Sequence, residues 1–290
     1  MGIEYQSSPL ADPSAAVDFA ARLNVLTEHR IAFLGDTRRE IANDLMGTYK
    51  VADTAVTAQR DGDIVGFLGA DLDEELGRAY LYGPLVDDDA WDTVSDELYE
   101  RTLALLPHGI DHLNLFYDLA NRNLEAFARR HGFAHYKDNY QLGFERARLD
   151  SLPPEGAEEA GPGHRDELVA LHDRLFPATW LPGPKMFAEV DEHKKLFVRS
   201  DEERALGYVY ATVEPATWEA TIEYVGTVED ARGRGIATAL VASAMRWMFS
   251  FPQVGKTWLS LDRDNGAARR VYEKLGWHDV FSSRAMVLKR

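Results

Sequence analysis

The stretch Val225-Gly-Thr-Val-Glu-Asp-Ala-Arg-Gly-Arg-Gly-Ile-Ala-Thr-Ala-Leu240 reads as the end of a β-strand, a short loop with glycines at Gly233 and Gly235, and the first turns of an apolar helix. Glycine lets a backbone approach a ligand closely. A helix start adds N–H groups without partners and the positive end of the helix dipole. In outline this is an anion site, suited to phosphate.

The rest of the chain limits what such a site can serve. At 290 residues it is long for one compact α/β domain and comfortable for two. No run approaches the ~18 apolar residues of a membrane span, and the first residues lack the basic and apolar regions of a signal peptide, so a soluble cytoplasmic protein is expected. The absence of cysteine excludes disulfides, thiolate metal sites and a cysteine nucleophile. The histidines form no His-Glu-x-x-His pattern, and no Gly-x-Ser-x-Gly is present, so neither a metal nor an acyl-serine is expected. The formal charge of −16 is uneven: residues 1–150 hold 14 Lys+Arg against 27 Asp+Glu, and residues 151–290 hold 18 against 21. Such a first half repels nucleic acid and anionic membrane. It reads either as a solvated acidic face or as an attractor of cationic substrates.

Periodicity orders the elements. Gly2–Gln6 reads as a strand, Ala15–Leu26 and Arg38–Met46 as helices with Ser14 and Thr37 as N-caps, and Ala52–Gln59, Ile64–Leu72 and Arg78–Val86 as an antiparallel meander. A helix over Asp89–Leu106, a strand Leu113–Tyr117, a short helix Asn123–Arg130 and a strand Ala134–Glu145 follow. The segment from Leu149 to Gly163, rich in proline, glycine and acid, is the best linker in the chain. After it the order recurs, with helices Arg165–Leu175 and Lys185–Val190, strands Lys195–Ser200, Ala205–Thr212 and Ala220–Val228, the glycine loop and its helix, strand Thr257–Leu261, helix Ala267–Leu275 and strand Val280–Leu288. The two halves superpose with a nearly fixed offset: Gly66 on Gly207, Gly83 on Gly226, Asp118 and Asn121 on Asp262 and Asn265, Gly132-Phe133 on Gly276-Trp277. The expectation is two copies of one domain.

Two motifs of the second half occur together: Arg232-Gly-Arg-Gly-Ile-Ala237 and Asp264-Asn265-x-x-Ala268-x-x-x-Tyr272-x-x-x-Gly276-Trp277. In this strand, loop and helix context they resemble the GCN5-related N-acetyltransferase superfamily. The resemblance covers residues 160–290 through motifs and reaches residues 1–150 only through the repeat. It implies an α/β (α+β) fold of two tandem domains, each a mixed, mostly antiparallel sheet flanked by helices. The first is expected at 1–148, a linker at 149–163, and the catalytic domain at 164–290. The tandem plan with a degenerate first copy resembles that of the mycothiol synthase members, though too generally to carry their substrate across.

The resemblance implies acetyl-CoA as acyl donor and a primary amine of a small molecule or peptide as acceptor, with no nucleic acid or membrane partner. The backbone of Arg232, Gly233, Arg234, Gly235, Ile236 and Ala237 would hold the pyrophosphate. Asn265 and Ala268 would lie along the pantetheine arm, and Tyr272 near the CoA sulfur as general acid or hydrogen-bond donor. Asn265 and Tyr272, seven residues apart, can share a helix face.

An amine nucleophile needs a base. Strand alternation puts Thr221 and Glu223 on one face and Ile222 and Tyr224 on the other. Glu223 is the first candidate and Glu219 the second, while a bulge would change which side chain points into the cleft and Thr221 is the position some alignments favour. Past such a bulge, N–H groups from Val225 to Thr227 can polarise the acetyl carbonyl. Phe176 and Trp180 are candidates for lining the acceptor pocket. The first half departs from the pattern: Asp87, Asp88, Asp89 and Asp92 crowd the would-be phosphate loop, and Ala128 stands at the position of Tyr272. A competing reading is a non-catalytic acyl-CoA sensor that binds a protein partner through the acidic half.

Overall fold

The computed structural model describes residues 2–154, 156–177, 179–202 and 204–290. Glu155 of the expected linker and Ala178 of the pocket segment lie outside them. Two compact units result, one of residues 1–139 with 282–290 and one of residues 140–281. Among the described residues no helix is long and apolar enough to cross a membrane.

The first unit contains β1 (Glu4–Ser7), α1 (Pro13–Asn24), α2 (Arg38–Met46), β2 (Val56–Arg60), β3 (Asp63–Asp73), β4 (Arg78–Val86), α3 (Trp91–Leu105), β5 (His112–Asp118), α4 (Arg122–Arg130) and the start of β6 (Ala134–Glu145). β1 to β4 pair antiparallel in sequence order, and β5 runs parallel to β4. The core lies between this sheet and its helices, with Val17, Ile41, Phe67, Leu98, Leu115 and Phe127 buried. The N-cap of α1 is Asp12, accepting from Ala15 N–H at 3.0 Å, in place of the expected Ser14. Proline at the first helical position starts the helix one residue ahead of the serine. Thr37 caps α2 through a full capping box with Glu40. The expected strand Ala52–Gln59 divides into a 3-10 turn at Val51–Thr54 and β2.

The second unit contains β7 (Glu158–Glu159), α5 (Arg165–Leu175), α6 (Gly183–Ala188), β8 (Lys194–Ser200), β9 (Ala205–Glu214), β10 (Glu219–Thr227), α7 (Ile236–Met248), β11 (Lys256–Asp262), α8 (Gly266–Leu275) and the start of β12 (His278–Lys289). β7 to β10 pair antiparallel in order and β10 runs parallel to β11. The order of elements repeats that of the first unit. Two apolar clusters cover the two faces of this sheet. One packs α7 and α8 against Val209, Ala220 and Ile222; the other packs α5 and α6 against Tyr208, Tyr210 and Tyr224.

The units are not the contiguous stretches drawn from the sequence. β6 begins in the first unit and ends in the second, where Leu142 and Phe144 join the α7 cluster. Residues 283–289 of β12 pair with β5 in the first unit. Part of the expected linker is built into the second unit: Glu158–Glu159 pairs with β8, Leu152 is buried, and Arg246 on α7 donates to the carbonyls of Leu152 and Pro153.

Candidate active site

The glycine loop enters α7 through two left-handed residues, Gly233 at φ 76° and Gly235 at φ 80°. A Cβ at either would meet open space, so the glycines answer the backbone conformation and leave the approach to the loop clear. α7 has no side-chain N-cap and no acidic residue in its first turn. Its first N–H groups therefore lack intrahelical partners while the dipole is unopposed. Arg232 and Arg234 are exposed beside them. Asp230 pairs with Arg204, whose hydrogen bond is the main cause holding that carboxyl below its usual range. This donor set fits a diphosphate.

α8 is fixed at both ends by the second motif. Asn265 is its N-cap, accepting from Ala268 N–H at 3.1 Å, and Gly276 at φ 92° ends it. The Trp277 N–H returns to the Tyr272 carbonyl at 3.0 Å, and the two rings meet edge to face at 5.8 Å. This is a Schellman stop with its apolar contact, and it locks Tyr272 against the α7 cluster. Burial raises the Tyr272 phenol well above its ordinary value, so it stays a proton-bearing donor.

Between these helices and the opposite face the sheet opens. The β10–β11 ladder is registered at Ala220–Thr257 and Thr221–Trp258, whereas β10 continues to Thr227. The register of β10 on β9 shifts between Ile222 and Tyr224, which makes Glu223 the extra residue of a β-bulge. The strict alternation expected from the sequence is thereby corrected: Ile222 packs under α7, but Tyr224 turns to the α5 face that Glu223 also serves. There Thr212 Oγ1 donates to Glu223 Oε1 at 3.1 Å. Desolvation raises the Glu223 carboxyl, with Thr212 and Lys194 opposing. Beyond the bulge the Val228 N–H bonds to Leu206 on β9 at 3.0 Å. By alternation the N–H groups of Val225 and Thr227 face the edge that β11 has left.

Glu219 stands four residues earlier, about 13 Å along the strand at ~3.3 Å per residue, and accepts from Thr217 Oγ1 at 3.1 Å. Phe176 and Trp180 do converge: both rings lie against Tyr224, at 5.0 Å and 6.4 Å. The Tyr224 hydroxyl meets Thr179 Oγ1 at 2.6 Å. Behind them His172 is buried and neutral, since burial lowers its pKa and Leu181 C=O takes a hydrogen bond from Nε2 at 2.8 Å, leaving Nδ1 to accept from the Tyr208 hydroxyl at 2.6 Å. Sequence alternation assigns Tyr224 a strand face but no role, and it does not single out Tyr208, Tyr210 or Thr212. The alternation of Tyr208, Tyr210 and Thr212 along β9 would have placed those three together.

Residues 165–277 match the acetyltransferase (GNAT) family model. The matched stretch lies within the second unit. No curated protein matches the chain significantly. Among solved structures it is similar to a GCN5-related N-acetyltransferase from Sphaerobacter thermophilus, with TM-score 0.72 and 19% identity over 99% of this chain and 95% of that one. It is also similar to a tandem GNAT protein from the clavulanic acid biosynthesis pathway, with TM-score 0.66 and 14% identity over 99% and 98%. A GCN5-related N-acetyltransferase from Kribbella flavida matches with TM-score 0.59 and 16% identity over 96% of each chain. At these identities the likeness shows the fold.

The first unit has the same order of elements but different residues at the corresponding helix start. The start of α3 has Asp92 in its first turn, and Asp88 accepts from Ala90 N–H at 2.8 Å. Asp87, Asp88 and Asp92 are ion-paired with Arg22, Arg60 and Arg130. The β4–β5 ladder ends at Leu81–Leu115, and the edge of β5 beyond it is taken by the chain itself. Ala32 N–H bonds to Phe116 C=O at 3.0 Å, Asp118 N–H to Arg30 C=O at 3.2 Å, and Ile31 bridges to Tyr117. Since β12 holds the other edge of β5, residues 30–32 lie on the edge that β4 leaves.

Proposed function

We propose that the second unit transfers the acetyl group of acetyl-CoA directly to a primary amine of a small molecule or peptide in a ternary complex. The observation that carries this reading is the bulge at Glu223. It sets a carboxyl of raised proton affinity on the α5 face, beside the opening between β10 and β11, while Tyr272 stays protonated beneath α7.

In this reading the backbone of Arg232 to Ala237 holds the pyrophosphate, and Asn265 and Ala268 flank the pantetheine arm. Glu223 accepts a proton from the substrate ammonium, and the freed nitrogen lone pair attacks the thioester carbonyl carbon. The N–H groups of Val225 and Thr227 hold the oxygen as it gains charge. Collapse forms the amide and breaks the C–S bond, and Tyr272 donates its hydroxyl proton or a hydrogen bond to the leaving thiolate. With unperturbed values of ~10 for a phenol and ~8.5 for a thiol, a hydrogen bond suffices.

The first unit is, in this reading, a degenerate copy on the tandem plan of mycothiol synthase. Its helix start is crowded by carboxylates, its β5 edge is filled by residues 30–32, and Ala128 stands where Tyr272 stands. Calorimetry should find one acetyl-CoA site per chain, and a panel of amines should include acceptors that release CoA above the hydrolysis rate. Binding with no amine-dependent release would favour the sensor alternative.

A further inference from the structure

The Tyr210 hydroxyl is buried among the α5 and α6 side chains and has no hydrogen-bond partner. A phenol left so costs stability comparable to a lost hydrogen bond, so its place needs an explanation. Its surroundings supply one. Tyr210 sits opposite Leu196 on β8 and Tyr224 on β10, one register step from the Glu223 bulge. Two residues along β9, Thr212 lies opposite Lys194 and bonds to Glu223. Glu189, at the end of α6, pairs with Lys194 at 3.0 Å. Asp191 holds the turn into β8 by accepting from His193 and Lys194 N–H at 2.7 Å and 2.8 Å. Burial first, and then the charges of Glu189, Glu223 and Asp191, keep the Tyr210 phenol protonated. One wall of this region is therefore aromatic, from Phe176, Trp180 and Tyr224, and the other is acidic around an unsatisfied hydroxyl.

A single reacting amine uses Glu223 alone. Two further carboxylates against one lysine leave negative charge that this amine does not use. We infer that the acceptor carries a second cationic nitrogen: Tyr210 receives a hydrogen bond from the reacting ammonium, while Glu189 and Asp191 hold the distal one. Resting on the amine-acceptor reading above, this narrows the substrate class to linear diamines and their relatives.

The test compares diaminobutane bearing two terminal amines with butylamine on the full chain, by acetyl-CoA-dependent CoA release and, separately, by calorimetric binding. Diaminobutane should have the higher kcat/KM and the tighter binding, each by about tenfold, the worth of one charge-assisted hydrogen bond. Tyr210→Phe should raise the amine KM by about tenfold with the acetyl-CoA KM unchanged. Asp191→Asn, which keeps the oxygen that holds the turn, should narrow the diamine preference by lowering diaminobutane kcat/KM. Equal binding and equal kcat/KM for the two amines would overturn the inference while leaving amine acetylation standing. Tight diamine binding with no CoA release from any amine would instead sink the acetyltransfer reading. An unchanged amine KM in Tyr210→Phe would remove Tyr210 from the acceptor site.

Discussion

Two helix starts, α3 and α7, follow the fourth strand of their meanders and differ in what surrounds them. What differs is the charge around them, since neither has a side-chain cap. At α3 Asp92 stands in the first turn, Asp88 takes the N–H of the cap residue Ala90, and the neighbouring aspartates are bound to arginines. At α7 the first turn holds no acid, and two left-handed glycines leave the approach open. An anion site needs its positive helix end unopposed, and carboxylates around the same element convert it into scaffold. The second difference repeats the lesson in the sheet. Both units let their parallel ladder lapse, but in the first the vacated β5 edge is bonded to residues 30–32.

The most severe way to break this contrast is to give α7 what α3 has. Gly235→Asp places a carboxylate at the helix start in a left-handed conformation that aspartate tolerates better than most residues. Acetyl-CoA affinity should fall about a hundredfold or more by calorimetry, with far-UV dichroism and cooperative unfolding retained. Unchanged affinity would remove the pyrophosphate assignment.

Glu223→Gln should cost about a hundredfold in kcat/KM, as expected for losing a positioned base. Desolvation raises the Glu223 carboxyl, so the deficit should be greatest between that raised value and the pKa of the amine. It should close at alkaline pH, where solvent deprotonates the amine. A pH-independent deficit would point to Glu219 or to water. The sign on stability is opposite. A carboxyl that binds its proton more tightly folded than unfolded contributes stability that is full below its unfolded pKa and lost as pH rises through the folded one. The neutral glutamine should therefore raise Tm at neutral pH, which thermal unfolding reads directly. Tyr272→Phe comes next, with kcat lowered about tenfold and acetyl-CoA affinity unchanged, because one hydrogen bond to a charged leaving group is lost while the ring packing on Trp277 remains.

Most of the architecture was legible because it rests on local rules. Arg38–Met46 announces itself by Thr37 and Glu40, and α8 by Asn265 and Gly276, whose capping also accounts for much of the second motif. The glycine loop was legible for the same reason, since left-handed glycines before an apolar helix leave a sequence signature. What escaped was set by pairing between distant strands. The bulge that turns Tyr224 to the Glu223 face depends on β9, and the filled β5 edge depends on residues far upstream reaching Phe116. The passage of β6 and β12 from one unit to the other leaves no local trace, because a strand has the same alternation whichever sheet it joins.

The smallest expected effect tests the scaffold half of the comparison. Asp92 is the second helical residue of α3, where Ala237 stands at α7, and pairs with Arg130 at 3.1 Å in an exposed setting. Exposed ion pairs contribute about 0–1 kcal/mol, and an acidic residue in a first turn adds a few tenths. Asp92→Ala should therefore move Tm slightly and leave kcat, both KM values and the acetyl-CoA stoichiometry unchanged. Removing one carboxylate does not recreate a phosphate site, because Asp88 still accepts from Ala90 and residues 30–32 still hold the β5 edge. A second equivalent of acetyl-CoA bound by this variant would mean that charge alone had silenced the first unit, and a large fall in kcat would mean that its acidic helix start takes part in the chemistry.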